Sequence, residues 1–265
     1  MRKHYLIQPV WACQNRCSYC WVRSTVGQRA ELYHAPTRQM AEWAQAIHRD
    51  KPTIVDIAGG EPLLLSWLPD LIACCPETKF GLSTNGLDIA GVARLAERQL
   101  SNVVSINVSY HPESAERWPW YVQRWRAAVL MLNSAGYTLA SNLIDTGDNV
   151  AKSAPVLAWL AEQGVPAVVS PCEETGDLGE RLEQGLCCQG GVQHLVMAPD
   201  GSAWPCLTAL RSPYWRDLRL GNWLDNTVDL SRKPQPCHLQ CTDYYVLAKE
   251  HSSGDMWWTE ATPCQ

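Results

Sequence analysis

Phenylalanine is nearly missing from this chain: a single Phe stands against 13 Trp in 265 residues. Charge is also sparse, at 18% of residues, and the two signs almost cancel to −5. So small and acidic a balance argues against a protein whose task is to coat nucleic acid. No apolar run approaches the ~18–20 residues needed to cross a bilayer, so no membrane span is expected. The opening MRKHYLIQPVWAC has two early basic residues but too short an apolar stretch for a secretory signal. Internal repeats and low-complexity tracts are absent. What remains is a soluble chain of cytoplasmic type, sized for one large domain or one domain with a small appendage. Hydrophobic residues, at 46%, suffice for a substantial core. Tryptophan takes the place of phenylalanine as core filler, since large aromatics dominate burial.

Twelve cysteines are present, and a chain this long does not need them as staples. In a cytoplasmic setting, clustered cysteines bind metal or do redox chemistry. From Tyr5 to about Ser170, short β-type runs alternate with helical stretches. The strands are expected at Tyr5–Val10, Thr53–Ile57, Lys79–Ser83, Val103–Val108, Thr138–Ile144 and Ala167–Ser170. Met40, Trp43 and Ile47 mark one helical face, and Ile89, Val92 and Leu95 another. Val122, Trp125, Val129 and Leu132 mark a third, stopped by Gly136. Pro155 is expected to open a helix closed by Gly164. Six such β–α units imply a parallel sheet, with chemistry at the C-terminal ends of its strands. Spacing alone leaves an open sheet and a curved partial barrel equally available. After about Cys172 helical periodicity is lost. Seven of the 12 Cys fall at Cys172 or between Cys187 and Cys264, so residues 173–265 are expected to form a loop-rich cap held by a metal cluster.

Cys13, Cys17 and Cys20 form C-x3-C-x2-C just after the first strand. Three soft thiolates in one tight loop suit an iron–sulfur cluster or zinc. A structural zinc site wants four ligands, and no fourth lies nearby; a zinc loop borrowing a distant ligand is the alternative. Three cysteines on a four-iron cluster leave one iron open for a substrate or cofactor. Gly59-Gly60-Glu61-Pro62 follows the second strand, Ser83-Thr84-Asn85-Gly86 ends the third, and Ser105, Asn107 and Ser109 alternate along the fourth, facing one side. In this order the motifs resemble the radical S-adenosylmethionine (SAM) enzymes over about residues 5–170. The resemblance implies a partial (β/α)6 barrel in which Cys13, Cys17 and Cys20 hold a 4Fe–4S cluster that chelates SAM. It implies that Tyr19 lies against the adenine, and that Gly59, Gly60, Glu61 and Pro62 receive the SAM ammonium. Thr84, Asn85, Ser105, Asn107 and, more weakly, Asn142 would line the SAM site.

Further along, Cys187-Cys188 precedes Gly190-Gly191. Asp200-Gly201 signals a hairpin ahead of Pro205-Cys206, and Gly221-Asn222 and C-x3-C at Cys237 and Cys241 follow. This order resembles the auxiliary-cluster extensions known as SPASM and its shorter form, twitch. By that resemblance residues 1–172 are the barrel and 173–265 an extension. In it Cys188, Cys206, Cys237 and Cys241 would hold a second 4Fe–4S cluster, with Cys264 or Cys187 as substitutes. Cys172, at the end of the sixth strand, could return a hydrogen atom to a substrate radical or simply pack as a small hydrophobe. His111, Asp145, Glu173 and Glu174 follow strand ends where they could touch substrate. Cys74-Cys75 is expected to pack.

The chemistry implied by the family is reductive cleavage of SAM and hydrogen-atom abstraction by a 5′-deoxyadenosyl radical, with a flavodoxin- or ferredoxin-type electron donor. The favoured expectation is oxidation or rearrangement of a small molecule in natural-product biosynthesis. Alternatives are crosslinking or epimerisation of a ribosomally made peptide, sulfur insertion from the auxiliary cluster, and a non-catalytic iron–sulfur or zinc protein. The first strand begins at Tyr5, which leaves no room for a fused leader-binding domain and lowers the odds of the peptide alternative. The intact Cys13, Cys17, Cys20 and Gly-Gly-Glu-Pro run argue against the last.

Overall fold

The computed structural model describes residues 3–145, 150–171, 186–188, 190–231, 235–236 and 262–263. The strands are β1 His4–Ile7, β2 Ile54–Ile57, β3 Lys79–Thr84, β4 Val103–Val108, β5 Leu139–Asp145 and β6 Ala167–Pro171, followed by β7 Leu186–Cys188, β8 His194–Met197, β9 Ser202–Trp204, β10 Gly221–Asn222, β11 Gln235–Pro236 and β12 Thr262–Pro263. The helices are α1 Trp21–Ser24, α2 Ala30–Tyr33, α3 Met40–Asp50, α4 Leu68–Cys74, α5 Ile89–Arg98, α6 Pro112–Arg117, α7 Tyr121–Ser134, α8 Val150–Glu162 and α9 Leu207–Arg211. Among the described residues no helix is long and apolar enough to cross a membrane.

β1 to β6 stand in chain order as a parallel sheet, the arrangement that β–α–β crossovers produce. Helices cover one face. Trp43 of α3, Val92 and Leu95 of α5, and Trp125, Val129 and Leu132 of α7 are all buried in one cluster with Tyr5, Ile7, Val55, Ile57, Phe80, Leu82, Ile106 and Val108 of the strands. The opposite face lines an interior. The loop after β1 and the ends of strands as far across the sheet as β2 and β6 border a single cavity, so the sheet curves into a partial barrel.

Two features depart from the sequence expectation. α8 begins at Val150, with Pro155 inside it. A proline costs one backbone N–H and crowds the preceding turn, and here the helix continues through it, with Val156 and Leu160 in the core. Residues 190–231, within the part expected to be a loop-rich cap, also contribute three strands. β8 pairs in parallel with β1, His4 opposite His194 and Ile7 opposite Met197. β9 and β10 continue the sheet antiparallel beyond β8. Residues 194–222 therefore share one sheet with β1 to β6. The hairpin expected at Asp200-Gly201 is present. Gly201 adopts φ +85, and the Asp200 carboxylate accepts from the Ser202 amide at 2.9 Å and its hydroxyl at 2.8 Å. β7 forms a separate antiparallel sheet with β11 and β12.

Trp43, Trp125, Trp204 and Trp223 rank among the largest fully buried side chains, as the composition predicts. Burial of that area contributes about 4–6 kcal/mol each as an upper estimate. Trp223, following β10, packs edge-on against Tyr5 of β1 with ring centroids 5.5 Å apart. Its indole N–H donates to Asp50 Oδ2 at 2.5 Å, and Arg49 donates to its carbonyl at 2.8 Å. The end of α3 thus clamps the C-terminal segment onto the first strand.

Candidate functional site

The loop after β1 carries the three cysteines, and its position is set by backbone pairing with the Gly-Gly-Glu run. The amide of Gly60 donates to Val10 O and that of Glu61 to Ala12 O, both at 2.8 Å. A β-carbon at Gly60 would meet Ala12 O at 2.2 Å and Trp11 O at 2.4 Å; at Gly59, whose φ is +122, it would meet Val10 O at 2.6 Å. The glycines are therefore required first by the chain's own cysteine loop, which lies directly on them.

Glu61 is nearly inaccessible, at 1% exposure. Its carboxylate accepts from the Leu63 amide at 3.0 Å, the Thr84 hydroxyl at 2.7 Å and the Asn85 amide at 2.7 Å. It fastens the loop after β2 to the end of β3. Burial pushes its carboxyl up to about 7, against the lowering effect of the Asn85, Thr84 and Leu63 donors. Asn85 passes the connection on: its amide donates to Cys13 Sγ at 3.4 Å, and its oxygen accepts from Gln14 at 3.2 Å.

These links surround a cavity of about 380 Å³ at the C-terminal ends of the strands. Cys13, Cys17 and Cys20 border it together with Tyr19, Gly59, Gly60, Thr84, Asn85 and Asn142. So do residues that the candidate SAM-site set omits, notably Ser109, His111, Ser170 and Arg211. Glu61, Pro62, Ser105 and Asn107 of the expected SAM set do not border this cavity. Glu61 is turned beneath the loop and occupied by the donors above, and Pro62 is buried at the start of a short 3-10 turn. Ser105 and Asn107 do share the interior face of β4 with Ser109, but lie deeper. Asn107 donates to Ser109 Oγ at 3.4 Å, and Ser105 sits beside Gly81, where a β-carbon would also meet the Asp56 carboxylate. Strand alternation selects the face correctly but carries no information on depth.

His111 follows β4 in Tyr110-His111-Pro112. Its Nδ1 lies 2.8 Å from the Tyr19 hydroxyl and 3.3 Å from Cys17 Sγ, and its ring stacks on that of Tyr19. The His111 amide donates to the Tyr121 hydroxyl at 2.7 Å, fixing the turn. Burial holds the imidazole down at about 4, against the raising effect of Glu113. Burial also pushes the thiols of Cys13 up to about 11 and of Cys17 up to about 12. On the facing strands Ser170 donates to Asn142 Oδ1 at 3.0 Å. Arg211 enters from the end of α9, which follows the β8–β9 hairpin and whose last carbonyls accept from Arg29 of the N-terminal segment, so no local motif marks it. Glu113 of α6 grips the cysteine loop from outside, accepting from the Ser18 amide at 2.9 Å and from the Ser18 hydroxyl.

Three soft donors on one wall of a polar-edged cavity fit a cluster with three protein ligands and an open position, because thiolate sulfur suits iron. The polar groups around them, Thr84, Asn85, Ser109, Asn142 and Ser170, fit a ligand rich in hydrogen-bonding groups. For the second cysteine set the described residues give less. Cys206 is buried in an apolar cluster with Trp204 and Trp215, and its sulfur accepts from the Ala209 amide at 3.3 Å, capping α9. Cys188 lies in β7 opposite Gln235, and Cys187 opposite both Pro236 and Thr262. Cys172, Glu173, Glu174, Cys237, Cys241 and Cys264 lie outside the described residues.

A family model described as the Radical SAM superfamily matches residues 7–151. A probable GTP 3′,8-cyclase of Archaeoglobus fulgidus is 34% identical over 110 residues, covering 41% of this chain and 35% of that protein. The chain thus spans about a third of the length of this curated relative. Among solved structures, Streptococcus suis SuiB bound to S-adenosylmethionine matches with a TM-score of 0.62 at 15% identity, over 86% of this chain and 66% of that one. Native anSMEcpe with bound AdoMet matches with a TM-score of 0.58 at 16% identity, over 84% and 78%. At these identities the likeness is one of fold.

Proposed function

The chain belongs to the radical SAM superfamily, and on that premise we propose that it is an enzyme that abstracts a hydrogen atom from a small organic substrate, leading to its oxidation or rearrangement. A 4Fe–4S cluster with SAM would supply reductive cleavage to a 5′-deoxyadenosyl radical; the protein's part is binding, orientation and shielding. The observation that carries the proposal is the joint bordering of one cavity by Cys13, Cys17, Cys20, Gly59 and Gly60.

Within that cavity each wall has a task. Cys13, Cys17 and Cys20 would hold the cluster, with Asn85 donating to Cys13. The backbone of Gly59 and Gly60 presents polar groups without side-chain obstruction. Tyr19, braced by His111, offers an aromatic face for adenine. Ser109, Asn142 and Ser170 would orient the polar end of SAM or of substrate, and Arg211 suits an anionic group entering from the open side.

The proposal extends to a second 4Fe–4S cluster held by Cys188, Cys206, Cys237 and Cys241, which would accept the second electron of an oxidation. An electron donor of flavodoxin or ferredoxin type is its natural partner. Peptide modification is the second reading; anSMEcpe, one of the fold relatives, has been solved with AdoMet and a peptide bound. Product analysis with a small-molecule panel and with peptides separates the two.

The decisive experiment is anaerobic iron and sulfide analysis of reconstituted protein, comparing wild type with a variant in which Cys13, Cys17 and Cys20 are all alanine. About eight irons falling to about four, with 5′-deoxyadenosine formed from SAM and dithionite only by wild type, is the expected result. About four irons in wild type removes the auxiliary cluster. Zinc instead of iron, with no 5′-deoxyadenosine, overturns the enzyme itself.

A further inference from the structure

Of the pair expected to pack, Cys75 does so in the core and Cys74 does not. Cys75 is buried, but Cys74 is exposed, and the two sulfurs are 3.7 Å apart. His48, exposed in the last turn of α3, brings Nε2 to 3.9 Å from the Cys75 sulfur. All three donor atoms lie within 4.8 Å of one another. Zinc bonds of ~2.3 Å to sulfur and ~2.0–2.1 Å to nitrogen set tetrahedral edges of about 3.8 Å between sulfurs and about 3.6 Å between sulfur and nitrogen. The two measured edges already have nearly those lengths, and the third closes by a small rotation of an exposed imidazole.

Backbone electrostatics favours the same occupant. His48 lies in the last turn of α3, Cys74 ends α4, and Cys75 caps α4, so two helix C-terminal turns, each carrying partial negative charge, meet at the cluster. Both helices run back from the C-terminal ends of their strands. The cluster therefore sits at the opposite pole of the barrel from the cysteine loop and is no part of the cavity.

We propose that His48, Cys74 and Cys75 form a surface site for a thiophilic divalent cation of the zinc class, with three protein ligands and one position left to solvent. Binding exchanges two S–H bonds for two metal–sulfur bonds and releases two protons to water, with no change of oxidation state. Its physical effect is to pin the end of α3 to the end of α4. Because α3 also clamps Trp223 through Arg49 and Asp50, the pin reaches the junction between the N- and C-terminal segments.

The test uses anaerobically reconstituted full-length protein incubated with zinc sulfate, desalted and analysed for zinc and iron, beside Cys74→Ser and His48→Gln, both at exposed positions. Wild type is expected to retain one zinc more than Cys74→Ser at equal iron, and His48→Gln to bind that zinc at least tenfold more weakly. Zinc is expected to raise the thermal midpoint of wild type and not of Cys74→Ser. Equal zinc in wild type and Cys74→Ser, or no zinc retained by wild type, overturns the site.

Discussion

At Gly60 the difference between a hydrogen and a methyl group decides where three cysteines sit. A β-carbon there would lie 2.2 Å from Ala12 O, far inside contact distance, so Gly60→Ala must push the Cys13–Cys20 loop outward by about an ångström. Overpacking of this kind costs about 1–3 kcal/mol. The variant is expected to fold with a lowered urea midpoint and to retain less than half of the iron at the first site. Iron analysis alongside chemical unfolding checks this, and undiminished iron would refute it. The site residues were legible to different depths. Cys13, Cys17 and Cys20 announce themselves by spacing, whereas Asn85, Gly59 and Gly60 stand out only through the family resemblance of the ordered motifs. The task of Glu61 does not, because a Glu after two glycines reads the same whether its carboxylate faces a ligand or the amides of Leu63 and Asn85. Arg211 had no local signal at all; its place depends on a hairpin made elsewhere.

Among the elements, the seam between β1 and β8 is the one a change of pH should open. His194 lies there with Nδ1 3.1 Å from the carbonyl of His4, its ring tilted against that of His4 with centroids 5.4 Å apart. His4 in turn pairs with Asp56 at 2.6 Å. Burial, and secondarily His4, hold the His194 imidazole down at about 4, opposed by Asp56 and the His4 carbonyl. The depressed value means that the unfolded chain takes up a proton more readily than the folded one. The contribution is complete above about pH 6.5 and is lost as pH falls toward 4, at a cost on the order of 1–3 kcal/mol. Urea midpoints at pH 7 and pH 5 should differ more for wild type than for His194→Gln; equal differences would sink the assignment. Most elements could be read from periodicity, as the burial of Val92 and Leu95, or of Trp125, Val129 and Leu132, bears out. Pro155 misled because a proline that starts a helix and one that a helix absorbs look alike without the packing of Val156 and Leu160.

For the whole molecule, residues 194–223 belong to the same sheet and core as β1 to β6. β1 has a neighbour on each side, β2 and β8, and Trp223 closes the core over Tyr5. A fragment ending at residue 171 would turn β1 into an edge strand and uncover Tyr5 and Trp43, with the aggregation hazard that such edges carry. That fragment is expected to be insoluble or to bind no iron, whereas a self-contained barrel would express well and take up about four irons per chain. Soluble yield and iron content distinguish the two. This organisation was illegible because a pairing between positions 190 residues apart leaves no periodic trace; only the hairpin at Asp200-Gly201, a local signal, was readable.

That long pairing also imposes a timetable on biosynthesis. The strand that carries the cysteine loop leaves the ribosome well before its partner β8, which follows 190 residues later. At ~5–20 residues per second the delay is about 10–40 s. Throughout that interval Cys13, Cys17 and Cys20 are attached to a strand with only one neighbour, so an iron carrier acting on this protein has its proper target only once β8 has followed.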